Sequence, residues 1–158
     1  MSTERPLPPE LADKDTLLDG LRAALDTLPA VLRGVSEGHA RTRSGPDDWS
    51  VADVLSHLVD AENRYFERTR RISAEENPFL PFYPDDDYSA LPIPEILARF
   101  ASLRNQHVEF LQRLRFTDWQ RSGVHQRYGQ LSIVELVKAT VIHDAQHTAQ
   151  IARALSRK

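Results

Sequence analysis

The sequence predicts an all-α protein, a four-helix bundle in which facing helices build a site in the core. Three observations predict it. Four long stretches repeat apolar residues at the 3.6-residue helical period. No stretch reads convincingly as a strand. Two Pro- or Gly-punctuated connections, 75–92 and 116–130, separate the later helices. The chain has 158 residues, 41% of them apolar, about the size of one domain able to bury a core without staples. One domain over 1–158 is therefore expected, with the proline-rich residues 1–10 as a loose arm.

Each element has its own signals. Leu17, Leu21, Ala24, Leu25, Leu28 and Leu32 mark a first helix over about 10–35. Pro29 is expected to kink or break it, and Gly34 and Gly38 to end it. After the turn "SGPDDW" (44–49), Ser50 and Asp53 read as a capping box opening a second helix over 50–74. Its inner face carries Val54, His57, Leu58, Ala61 and Tyr65. Residues 75–92, "EENPFLPFYPDDDYSALP", form no regular element on this reading. Loops of that length often serve as lids or pocket walls. A third helix starts near Pro94 and runs to about 115, with Ile96, Phe100, Leu103, His107, Phe110 and Leu114 on one stripe. Ser132 and Glu135 make a second capping box, opening a fourth helix to about 156. Its inner face carries Leu136, Thr140, His143, His147, Ile151 and Ala154.

Composition narrows the function classes. Twenty basic and 23 acidic residues give a net charge of −3, so no basic excess points to nucleic acid or an anionic membrane. There is no cysteine, which excludes disulfides, thiolate-bound zinc, iron–sulfur clusters and a cysteine nucleophile. The N-terminus has no apolar signal core, and no apolar run approaches membrane-spanning length. A soluble cytoplasmic protein is expected.

The histidines carry the remaining signal. Four residues turn a helix through about 400°, so His143 and His147 point within about 40° of each other, roughly 6 Å apart. Such a pair suits two polar rim residues or two ligands of one metal ion. Burying them without partners would cost about 1–3 kcal/mol per unsatisfied group. His57 lies on the inner face of another helix, about 10 Å from its start, against about 16 and 22 Å for His143 and His147 in theirs. A modest axial stagger would bring all three together. That facial set leaves positions open on Zn²⁺, Ni²⁺, Fe²⁺ or Co²⁺. His107 is either a fourth ligand or, more in keeping with its apolar stripe, a core histidine bonded to a carbonyl or carboxylate. His39 and His125 read as exposed loop residues.

Two familiar sites fail on spacing. A zincin needs Glu after its first histidine, where this chain has Asp144. A ferritin-like di-iron site needs Glu three residues before each histidine, and Val54 and Thr140 stand there.

"DDWSVADVLSHLVDAE" (47–62), "YGQLSIVELV" and "IHDAQHTAQI" together resemble the DinB/YfiT-like superfamily of metalloenzymes, over most of 12–156. The resemblance implies a four-helix bundle of unusual helix order and, often, a homodimer. It implies a divalent metal on His57, His143 and His147. It also implies thiol chemistry like that of bacillithiol or mycothiol transferases, with a low-molecular-weight thiol as cosubstrate. Zn²⁺ or Ni²⁺ is the first expectation for the metal, with Fe²⁺ or Co²⁺ as alternatives. The reaction expected first is thiol S-transfer or isomerisation of a small molecule. Hydrolysis by a metal-bound hydroxide and a non-catalytic, stress-related binding bundle are the alternatives. Asp60, Glu62, Asp144 and Gln150 are candidates to orient the imidazoles, against the blander reading of the three acids as solvated helix charge. Phe82, Tyr83 and Tyr88 could wall the pocket. Asp85–Asp87 could repel or orient a substrate, and Arg121 and Arg127 could bind a carboxylate or simply sit in surface salt bridges.

Overall fold

The apolar periods and their caps become five helices in the computed structural model, which describes residues 13–156. The expected arm at 1–10 lies outside the described residues. Helix α1 runs Lys14–Val31, opened by Asp13, whose side chain accepts from the Asp15 amide at 3.2 Å. Pro29 lies inside it and offers no N–H to the Leu25 carbonyl. The expected break takes the form of an early end at Val31, two residues on. Gly34, at a left-handed φ of 76°, then turns the chain. Gly38, expected to help end the first helix, instead lies in the short α2, Glu37–Ala40, as does His39.

Helix α3 spans Val51–Ala74 behind a complete capping box. Ser50 Oγ accepts from the Asp53 amide at 3.1 Å, and Asp53 Oδ2 accepts from the Ser50 amide at 2.9 Å. Helix α4 spans Ile93–Arg113, with Pro94 in its first turn, where a missing N–H costs nothing. Helix α5 spans Ile133–Ser156. Ser132 Oγ accepts from the Glu135 amide at 3.1 Å and donates to the Glu135 carboxylate at 3.1 Å. Helices α1, α3, α4 and α5 pack as the bundle. No helix among the described residues is long and apolar enough to cross a membrane.

The expectation of no strands is corrected. Strand β1, Phe79–Leu80, pairs in parallel with β2, Ser122–His125, and β2 pairs antiparallel with β3, Gly129–Ser132. So the 75–92 and 116–130 connections, read as irregular, are stitched into one small sheet; a 3-10 turn at Phe116–Gln120 precedes β2. Strands this short hold too few alternations for a period-2 signal. Gly123 is required at the seam: a Cβ there would lie 2.8 Å from the Pro78 carbonyl oxygen.

The core divides into two apolar lobes. One gathers Ala24, Leu28, Val54, Leu58, Ile96, Phe100 and Ile151. The other gathers Leu17, Leu21, Ile72, Val108, Leu111, Trp119, Ile133 and Val137. Along α3, α4 and α5, the residues between these lobes include Glu62, Arg104, His107, Thr140 and Asp144, all buried. A charged layer therefore crosses the middle of the bundle, beside the histidines of α3 and α5.

Candidate metal centre

Capped helices α3 and α5 point His57, His143 and His147 at one another. His57 Nε2 lies 2.9 Å from His143 Nε2, which lies 3.0 Å from His147 Nε2. One donor atom from each residue falls within 4.8 Å of the others, and all three rings are half-buried. His147 Nδ1 meets Gln150 Oε1 at 2.8 Å. An amide oxygen only accepts, so the proton sits on Nδ1 and the Nε2 lone pair faces the cluster.

These contacts make poor sense as hydrogen bonds alone. Each ring nitrogen carries either a proton or a lone pair, and His143 Nε2 faces two others at once. A cation satisfies all three lone pairs. Nitrogens about 2.1 Å from an ion sit about 3.0 Å apart at right angles and about 3.4 Å apart at tetrahedral angles. The two short separations fit the right-angled arrangement. Burial, then the charges of His147 and His57, push the His143 imidazole down to about 4. Burial and His147 also lower His57. Both rings are therefore neutral at pH 7, with lone pairs available.

A cavity of about 230 Å³ opens beside His57, with Trp49, Arg43, Ser56 and Asp85–Asp87 among its walls. The Trp49 ring lies 5.3 Å from His57, and the Tyr65 ring 5.8 Å from His143. The acidic loop is fastened along one row of α3. Ser56 Oγ accepts from the Tyr88 amide at 2.7 Å, Asp60 Oδ1 from the Asp86 amide at 3.1 Å, and Arg64 donates to Asp85 at 2.6 Å. Tyr88 turns away from the cavity, accepting from Asn63 at 3.1 Å and packing on the first apolar lobe. Phe82 is exposed, with its ring 5.6 Å from His125, and Tyr83 lines an adjoining groove with Arg64.

The orienting candidates separate in space. Gln150 touches His147. Asp60 pairs with Arg64 at 3.0 Å. Glu62 and Asp144 both receive Arg104, at 2.9 and 2.7 Å. None of these three acids is solvated helix charge, since all are buried. Arg104 also donates to the Leu21 carbonyl at 2.8 Å, so one guanidinium ties all four long helices together. His107 Nδ1 meets Glu62 at 2.7 Å and Nε2 meets Thr69 at 3.1 Å, so both nitrogens are engaged away from the cluster. Arg121 donates to the Ile72 and Glu75 carbonyls, and Arg127 lies over the Tyr128 ring. His125 is corrected from exposed loop residue to a strand residue 4% exposed.

Sequence reasoning passed over Arg104, although a charge four residues after Phe100 and three before His107 falls on the apolar stripe. It also left Trp49 in a turn rather than against His57. No sequence signal marks His125 as buried, because its burial depends on pairing with β1.

Comparison with known proteins agrees with this architecture. Residues 20–151 match the DinB superfamily. A protein of Oceanobacillus iheyensis, provisionally named a metal-dependent hydrolase, is 29% identical over 121 residues, 73% of this chain and 69% of that one. A Bacillus cereus protein with the same provisional name is 23% identical over 94% of this chain and 87% of its own length. Among solved structures, YfiT from Bacillus subtilis, described as a probable metal-dependent hydrolase with an unusual four-helix bundle topology, superposes with a TM-score of 0.83. It is 20% identical, over 99% of this chain and 93% of its own. TT2238, described as a four-helix bundle protein, gives a TM-score of 0.69 at 19% identity over 89% and 99% of the two chains.

Proposed function

The chain belongs to the DinB superfamily, and from that premise we propose that it is a metal-dependent hydrolase whose divalent ion is held by His57, His143 and His147. One observation carries the proposal: three imidazole nitrogens from two helices converge, all within 4.8 Å of one another. A divalent ion bound by three neutral imidazoles keeps its full double charge and supplies Lewis acidity at the positions they leave open.

The chain's own residues do the rest. Gln150 holds the His147 tautomer. Trp49 and Tyr65 screen two of the imidazoles from bulk water. In the cavity beside His57, the Asp86 carboxylate has no hydrogen-bond partner among the described residues. Asp85, by contrast, is committed to Arg64.

Thiol S-transfer, the first expectation from the resemblance, would use the same three imidazoles. The names of the relatives favour hydrolysis, which is therefore placed first. The test is an ester and amide panel with the zinc-loaded protein, with and without added low-molecular-weight thiols. Thiol-independent hydrolysis that disappears in His57→Ala supports the proposal. Turnover that requires a thiol and an electrophile would replace it with transfer.

A further inference from the structure

One buried cation has no counter-charge. Arg68, in α3, is 8% exposed, makes no hydrogen bond or ion pair among the described residues, and keeps its Nε fully buried without a partner. Its neighbours differ in having anions, although the Arg104 Nε is likewise buried without a partner. Arg64 holds Asp60 and Asp85, Arg71 holds Glu75, and Arg104 holds Glu62 and Asp144. A guanidinium with its Nε withdrawn from water and no anion beside it is costly, and native structures leave one so only for a reason.

Two more donors near it also lack acceptors. His125 Nδ1 accepts from the Arg127 and Tyr128 amides at 3.0 and 3.1 Å, so the imidazole proton sits on Nε2. That Nε2–H has no acceptor among the described residues, and neither does the Tyr65 hydroxyl. Arg68 lies three residues beyond Tyr65 and eleven beyond His57. Eleven residues are close to three full turns, so Arg68 and His57 leave α3 within about 20° of one direction, about 16 Å apart along its axis. Gly123, two residues before His125 on the same buried face of β2, lies against Ile72, where a Cβ would sit 3.2 Å from Ile72 Cγ1. Arg68 is one turn before Ile72 in α3, so β2 runs His125 alongside Arg68. Burial, and then the Arg68 charge, lower the His125 imidazole accordingly. The Tyr65 ring is the one that meets His143.

We infer that Arg68, His125 and Tyr65 form an oxyanion subsite beside the three-histidine cluster, taking a carboxylate carried by the substrate. The planar guanidinium fork matches a carboxylate, and the ring N–H and phenol supply further donors. The acidic loop, fastened further back along the same helix, fixes the direction. Asp85, Asp86 and Asp87 line the cavity at His57, so an anionic end is repelled there and drawn towards Arg68. The substrate class is then a small carboxylic acid whose reacting group lies at the histidines. The substrate and its reacting group rest on the proposed hydrolase reading; the anion subsite does not.

The test is a titration of the full-length protein with sodium acetate at constant ionic strength, metal-free and zinc-loaded. Binding is followed through the Arg68 Nε–H resonance and the Arg127 and Tyr128 amides. Saturable shifts in both forms are expected, with binding weakened at least tenfold in Arg68→Gln and in Arg68→Lys, which keeps the charge but loses the fork. The inference is overturned by the absence of a saturable shift or by unchanged binding in both variants. Inorganic phosphate binding in place of acetate would overturn the carboxylate assignment. A protein that binds acetate but loads no zinc would sink the hydrolase reading and leave this subsite standing. Zinc loading without acetate binding would do the reverse.

Discussion

Arg104→Met is expected to destabilise the bundle by about 3–5 kcal/mol, the usual cost of breaking a buried ion pair from one side. Methionine approximates the length of the stem, so little packing is lost. What changes is charge: Glu62 and Asp144, 1% and 7% exposed, then share the interior without their guanidinium. The bond to the Leu21 carbonyl also goes, worth about 1 kcal/mol. Burial works to raise the Glu62 carboxyl, yet the His107 hydrogen bond and the Arg104 charge hold it below its ordinary value. Without Arg104 part of that restraint is gone, and the carboxylates protonate more easily. The penalty should therefore shrink as pH falls from 7 towards 5. Urea unfolding of the metal-free protein, followed by far-ultraviolet circular dichroism, measures it against a total stability of order 5–15 kcal/mol. Adding Glu62→Gln and Asp144→Asn should recover part of the loss by removing the stranded charge. A loss below about 1 kcal/mol for Arg104→Met, or no recovery in the triple variant, would refute the argument that charge compensation holds this layer together.

Three further outcomes follow from the geometry. Gln150→Ala frees the His147 ring and should weaken zinc affinity by about 10–100-fold with the fold unchanged, read by competition with a chromophoric chelator. Gly123→Ala drives a Cβ to 2.8 Å from the Pro78 carbonyl and should cost about 1–3 kcal/mol in thermal unfolding, with no such cost at Gly38, where nothing lies within 4 Å. The His143 imidazole is held down to about 4, chiefly by burial, against 6.5 for the ordinary group. The unfolded chain therefore binds more protons between those values, and metal-free stability should fall as pH drops from about 6.5 towards 4. His143→Gln should flatten that fall in urea midpoints; an unchanged slope would exclude the imidazole as its source.

What could be read from the residues was whatever local chemistry decides. Ser50 with Asp53 caps α3 as their spacing dictates. Three histidines on the inner faces of two helices meet because the 3.6-residue period and a small stagger leave them little alternative. Contacts between distant segments that no helical period announces were not legible. The sheet depends on pairing of Leu80 with His125 across 45 positions, and neither strand is long enough to announce itself. Arg104 satisfies partners on three other helices, so its role appears only once those helices are packed. The fate of Glu62 and Asp144 was hidden for the same reason, whereas Asp60 meets Arg64 one turn on in its own helix.

Metal binding by wild type beside His57→Ala tests the central claim most directly. The protein should be stripped, reloaded with Zn²⁺, and its bound metal counted and located by anomalous scattering. The three-histidine account predicts one tightly held ion per chain at the meeting point of His57, His143 and His147, and loss of that ion in His57→Ala with the helices intact. Failure of wild type to load any divalent ion, or binding by His57→Ala as tight as wild type, would contradict it.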